Sequence, residues 1–389
     1  MKKVGIVTLN GYFNYGNRLQ NFALQEALKD LGFKVETLIT SNSTITSNST
    51  PKNHINRAGL IERINSLKDA SFIEIRNKAY FKLWNYTHSK EITESELMRT
   101  QFFKEFTNKY INETDYIISD NNLHADLLNK YDYFVTGSDQ VWNPNYNYGS
   151  SIYFLTFAPE NKRIAYAPSF GVSEIKPEYI ENYRKWISDI SSLSVREDDG
   201  AKIIKELTGR EAPVHVDPTL LLTKEKWLSI SKEADNKPKG KYLLTYFLGG
   251  VPPQYKDQIN RIVKENNLEV INLGDIKEKD TYRTGPSEFI DYINSCSVFC
   301  TDSFHGAVFS ILLEKPFIVY ERMGTSLSMY SRIETLLDKF DLRSREAKNI
   351  KSNEDIFSID YSHVSPILDA ERNKSFEYLK KALNIEDKE

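Results

Sequence analysis

Cysteine is scarce in this chain of 389 residues, which carries only Cys296 and Cys300. Their spacing makes neither a CxxC redox pair nor half of a zinc site, so both read as buried thiols. Long apolar runs are missing as well. Nothing approaches the roughly 20 residues of a membrane span, and the opening MKKVGIVTL lacks the apolar core and small-residue cleavage site of a signal peptide. The expectation is a cytoplasmic protein without an integral membrane segment. Neither charge sign is in excess: 51 Lys and Arg stand against 54 Asp and Glu, a net −3. With no general basic field, nucleic acid is excluded as a partner, and an anionic ligand has to be held by a few placed residues. There is no internal repeat and no cluster with metal-ligand spacing, so no metal is expected. The early loop NGYFNYGN contains Gly11 and Gly16 but does not spell GxGxxG. No acidic ribose reader follows the next strand, so a nicotinamide cofactor is not indicated.

What is present is the composition of a globular protein, 40% hydrophobic and 27% charged, long enough for two cores. The start reads as a βαβ unit: VGIVTL, the NGYFNYGN loop, the helix RLQNFALQEALKDLGF and the strand KVETLI. Leu19, Phe22, Ala23, Leu24, Ala27, Leu28 and Leu31 recur near a 3.6 period, with Asn17 placed as cap and Gly32 after the end. Thr40–Thr50 is a Ser/Thr/Asn stretch with NST sequons at Asn42 and Asn48, read as a loop of no glycosylation significance. Residues 57–110 turn helical and aromatic, a helical insertion whose rings are spaced for packing. Strand patterns resume at YDYFVTG and RIAYAPSFG, and LSVRE, AKIIKEL and PVHVDPTLLL continue the alternation.

The polar stretch around SKEADNKPKGK has the composition of an interdomain linker. An N-terminal α/β domain is therefore expected over 1–232, a linker over 233–240 and a C-terminal α/β domain over 241–360, where YLLTYFLG, LEVINLG and VFCTD restart the pattern. Residues 361–389 form a final helix that crosses back to the first domain. Two doubly wound halves of this kind enclose a ligand between the carboxyl ends of their strands.

Four polar clusters fall at those strand ends: NYGNRLQ, TGSDQVWNP, SVREDD and TDSFHG. Each has an ordinary reading, with Asn17 as a cap, Asp139 as a turn acid, Arg196 in a surface pair with Glu197 and His305 as a packed side chain. Together they supply an amide-lined loop, a carboxylate, an arginine and one group that titrates near neutrality. That set suits a small phosphorylated acid and a proton transfer.

With NYGNRLQNFALQEAL, TGSDQVWNP, YAPSFG, LSVRED, VDPTLLL and TDSFHGAVFSILLEKPF in order, the chain resembles the polysaccharide pyruvyl transferase family over most of its length. The resemblance implies two Rossmann-like domains facing a central cleft, as in GT-B enzymes, with phosphoenolpyruvate as donor substrate and no other cofactor. It implies a sugar acceptor, free or lipid-linked, and a pyruvate-ketal product in a capsule, exopolysaccharide or cell-wall polymer. A lipid-linked acceptor would bring the protein to the inner face of the membrane. His305 and Asp139 are the catalytic candidates; Asn17, Arg196, Ser303, Gly306 and Arg332 are the substrate-binding ones. Many members carry arginine two residues before the motif histidine, where this chain has Ser303, so another cation has to hold the phosphate. Arg332 is preferred over Arg322 because it opens a helix facing the cleft. Two other readings share the fold: a GT-B glycosyltransferase using a nucleotide sugar, and a noncatalytic sugar- or anion-binding protein.

Overall fold

A computed structural model describes residues 1–41, 87–147, 150–323 and 330–385. The sequon stretch from residue 42 onward and residues 57–86 of the expected insertion lie outside the described residues. Two all-parallel sheets organise the rest. The first runs β3-β2-β1-β4-β5, with β1 Lys3–Val7, β2 Lys34–Thr40, β3 Glu113–Ile118, β4 Tyr133–Thr136 and β5 Arg163–Ala165. The second runs β7-β6-β8-β9, with β6 Tyr242–Tyr246, β7 Glu269–Asn272, β8 Val298–Thr301 and β9 Phe317–Val319. Strands buried on both faces have to be apolar throughout, and β4, β6, β8 and β9 are buried at every position. Each sheet reverses its winding beside its first strand, between β1 and β4 and between β6 and β8. This is the doubly wound, Rossmann-like architecture, in two copies that face a shared cleft.

The helices that position the site are α1 Tyr15–Asp30, α2 Ser89–Tyr110, α3 Pro286–Ser295, α4 Phe304–Leu312, α5 Ser331–Lys339 and α6 Val364–Ala382. The cap of α1 is Asn14 and not Asn17. Asn14 has extended backbone and its side chain accepts the Asn17 amide, so Asn17 falls inside the first turn. Strand β3, with its polar start ETDYII, was not foreseen. The segments around Ser194 and Val214, expected to continue the sheet, contribute only isolated bridges. Pro213 and Pro218 have no N–H to give a ladder there.

The stretch Ser231–Lys241 is tied along α3: Asp291 accepts from Ala234 N at 3.0 Å and from Lys237 Nζ at 2.8 Å. The last helix, α6, lies on the first domain. Its Arg372 donates to the carbonyls of Leu220 and Leu222, and its Tyr378 hydroxyl donates to Ala165 O of β5.

Where the two domains meet, Tyr15 at the start of α1 stacks on Phe289 of α3, with ring centroids 4.1 Å apart. Tyr246 and Phe103 close around the same ring. The Tyr15 hydroxyl donates to Thr284 O and accepts from Arg99, whose guanidinium lies 4.6 Å over the Tyr15 ring and also donates to Phe13 O and Tyr282 O. Residues of α1, α2 and the second domain thus share one aromatic and cationic junction. Tyr15→Ala should destabilise the protein by about 3–5 kcal/mol, the usual range for losing a buried aromatic ring. Tyr15→Phe keeps the stack and should cost about 1–2 kcal/mol for the lost hydroxyl bonds. Urea unfolding of both variants checks this ordering, and equal losses would place the stability in the hydroxyl alone.

Candidate active site

The loops that leave β1, β4, β6 and β8 converge on a cavity of about 310 Å³ between the domains. It therefore sits at both topological switch points, where the carboxyl ends of diverging strands leave a crevice. The first domain contributes Leu9, Phe13, Asn14, Asn17, Asp139 and Gln140 to the lining. The second contributes Leu248, Ser303, Phe304, His305, Arg322 and Arg332. Asn17, Asp139, Ser303, His305 and Arg332 are thus brought together on one cavity.

On the second-domain wall, Ser303 is the N-cap of α4, and its hydroxyl oxygen accepts the Gly306 amide at 3.2 Å. Gly306 departs from its expected substrate-binding role. Its amide is taken by Ser303, and it is turned inward, where an added Cβ would lie 2.8 Å from Thr301 Oγ1. What position 306 requires is close approach of helix to strand. Asp302 is committed too: it accepts the amides of Leu248 and Gly249 at 2.7 and 2.9 Å and the Arg322 Nε at 3.2 Å. This fixes Arg322 at the cavity edge. Arg332, second residue of α5, is buried, with its guanidinium 5.9 Å from the Phe304 ring centre. Burial, then the like charge of Arg196, brings the Arg332 guanidinium down to about 10. An anion beside it would relieve both effects.

On the first-domain wall, Asp139 holds a left-handed φ of 62°, a conformation that costs a non-glycine residue about 1 kcal/mol or more. Its carbonyl accepts the amides of Val141 and Ser169, both at 2.8 Å, which holds the turn. Behind it lies Arg196. The surface pair with Glu197 is not what forms: Arg196 is 3% exposed and absent from the cavity lining. NH1 donates to Asp217 Oδ2 at 2.7 Å and NH2 to Asp139 Oδ1 at 3.3 Å, while Nε stays 4.0 Å from Glu197 Oε2. A fully desolvated guanidinium has to be met by carboxylates, and these loops supply them. Glu197 accepts from Ser169 Oγ and from the amides of Phe170 and Gly171; burial nevertheless pushes its carboxyl up.

Asp217 was not singled out from the sequence, although VDPTLLL was recognised as a motif. Its signal was an Asp-Pro-Thr turn, in which the aspartate bonds two residues ahead: Oδ1 accepts from Thr219 N at 3.0 Å and Thr219 Oγ1 at 2.7 Å. Oδ2 receives Arg196 and also the Ser138 hydroxyl, which shares its proton with Ala167 O. The Oδ2 atom lies 3.5 Å from His305 Nε2, across the domain boundary. Burial alone would raise the Asp217 carboxyl, but His305, Arg196 and the Thr219 amide outweigh it and hold it well below the usual carboxylate range. The other edge of the His305 ring lies against Gly16, where an added Cβ would come 2.0 Å from Nδ1. Glycine at the second position of α1 is what lets the histidine reach the first domain.

Because the folded value of Asp217 lies below its unfolded value of 3.8, the ion stabilises the fold above that pH and its contribution is lost as pH falls below it. Urea unfolding of wild type and Asp217→Asn should therefore converge on acidification from about pH 5 to 2. Parallel curves over that range would show that Asp217 is not ionised in the fold.

No curated relative matches the chain significantly. Among solved structures, S. aureus MnaA with UDP is 11% identical, covering 100% of this chain and 99% of its own at a TM-score of 0.48. UDP-GlcNAc 2-epimerase from Neisseria meningitidis with UDP-GlcNAc is 11% identical, covering 99% and 95% at 0.38. Acinetobacter baumannii MurG is 7% identical, covering 99% of each chain at 0.40. Identities this low say nothing of chemistry. The family model for polysaccharide pyruvyl transferase, in contrast, matches residues 14–322, a span that runs from the α1 cap through the cavity's Asp139, Ser303, His305 and Arg322. The chain belongs to the polysaccharide pyruvyl transferase family.

Proposed function

We propose that the protein transfers the enolpyruvyl unit of phosphoenolpyruvate to two hydroxyls of one sugar, releasing phosphate and leaving a pyruvate ketal. The observation that carries this reading is the division of the cavity: a histidine and two arginines on the second domain face amides, a carboxylate and the Phe13 ring on the first. An enol phosphate is already activated, so the reaction needs no further cofactor. A proton added to its methylene carbon makes the central carbon electrophilic, and a sugar hydroxyl attacks. Phosphate leaves, and a second hydroxyl closes the ring. One proton enters at carbon, two leave the hydroxyls, and the departing phosphate takes up the other.

Arg332 and Arg322 meet the donor's phosphate and carboxylate in this reading, which answers the serine at position 303. His305 transfers the proton, and Asp139 accepts one from the sugar. Asn14, Asn17 and Gln140 offer amides to sugar hydroxyls. Arg196 acts from behind the wall, holding Asp139 in place and keeping Asp217 ionised. The acceptor is a free or lipid-linked glycoside of a capsule, exopolysaccharide or cell-wall polymer.

Incubation with phosphoenolpyruvate and a panel of simple and lipid-linked glycosides should release phosphate and add mass to one acceptor. Turnover with a nucleotide sugar in place of phosphoenolpyruvate would instead make the protein a glycosyltransferase. His305→Gln should lower turnover by roughly two to four orders of magnitude with donor affinity nearly intact; retained turnover would remove the histidine from the chemistry. Arg332→Ala should weaken donor binding by about 1.5–3 kcal/mol, measured by calorimetry. Arg196→Ala should act chiefly on stability, losing about 3–5 kcal/mol by stranding buried carboxylates. Loss of donor affinity alone, at unchanged stability, would put Arg196 in direct contact with the donor.

A further inference from the structure

We infer that Asp217 is a positioning residue that holds His305 with its proton on Nε2, which leaves Nδ1 as the ring atom that exchanges protons. The inference rests on the proposed role of His305 and extends it to one nitrogen. Nε2 is buried and makes no hydrogen bond among the described residues, and Asp217 Oδ2 lies 3.5 Å away. Among the described residues, every hydrogen bond to Asp217 comes from a donor: Arg196 and Ser138 on one oxygen, the Thr219 amide and hydroxyl on the other. Asp217 is therefore an ion that can only accept. A ring nitrogen facing such a group carries its hydrogen there, because a lone pair would meet the lone pairs of a carboxylate.

The opposite ring edge is left for the other role. Nδ1 borders Gly16 in the first turn of α1, and His305 is part of the cavity wall. With Nε2 protonated, the neutral ring presents a lone pair at Nδ1; once Nδ1 is protonated, Asp217 stabilises the resulting imidazolium. Around this pair, Arg196 donates to Asp217, and Asp139, Glu197 and Arg332 surround that guanidinium in turn. The partners also come from different domains. A gap of 3.5 Å lies at the outer limit of a hydrogen bond, close enough for the carboxylate to decide which ring nitrogen carries the hydrogen.

The test uses the full-length protein labelled with ¹⁵N. Long-range ¹H–¹⁵N correlation at about pH 8, where an ordinary imidazole is neutral, identifies the tautomer of each of the six histidines, and His305→Gln assigns the signal. The expected result is an Nε2–H ring in wild type that shifts toward Nδ1–H in Asp217→Asn. That variant should also lose turnover by about 10²- to 10⁴-fold, with donor affinity changed less than about twofold. An Nδ1–H ring in the wild-type protein overturns the inference, and this measurement does not depend on any variant folding. An unchanged tautomer in folded Asp217→Asn overturns it as well. If His305→Gln keeps full turnover while the wild-type ring is Nε2–H, the proton-exchange role of Nδ1 falls and the orientation by Asp217 stands.

Discussion

Arg196 is buried, and the folded chain meets its charge with Asp217 at 2.7 Å, Asp139 at 3.3 Å and Glu197 at 4.0 Å. Removing Arg196 from such a cluster would leave its buried carboxylates uncompensated, which is why its geometry constrains everything nearby. The turn after β4, the segment after β5 and the Asp-Pro-Thr turn are separate in sequence, and this one guanidinium joins them. Asp139 at the cavity and Asp217 beneath His305 are both held from it. The chemistry proposed for the cleft is thus anchored below the surface that a substrate would touch.

A second constraint sets the distance between the domains. Tyr15, stacked on Phe289 and bonded through its hydroxyl to Thr284, places the start of α1 against the second domain. Gly16, the next residue, then lies directly on the His305 ring, and no side chain fits between. Packing and site geometry are therefore one arrangement. The same residues that bury the domain junction determine how far His305 stands from Asp217. Arg99 reinforces the arrangement from α2 by bridging Phe13 and Tyr282.

Legibility varied with the range of the interaction. Apolar runs and their alternation marked most of the strands, because a parallel strand buried on both faces has to be apolar. Strand β3 escaped, since its edge position tolerates the polar residues of ETDYII. The α1 cap was misplaced by three residues, Asn17 for Asn14, because both are asparagines and only the backbone shows which one is extended. Gly306 was read as a ligand-facing glycine, whereas its lack of a side chain serves the contact with Thr301.

The sequence by itself determined which groups are available: the histidine after β8, the acids and arginines at strand ends, and the motif order that marks the family. These follow from local chemistry, namely hydrophobic period, turn residues and spacing. Only the tertiary structure decided which of them face the cleft. It turned Arg196 inward, because a buried guanidinium follows its carboxylates, and it brought Arg322 and Arg332 to the wall where Ser303 caps a helix. It also paired His305 with Asp217, two residues from different domains that no local pattern relates, because their approach is set by the packing of α1 against the second sheet's helices.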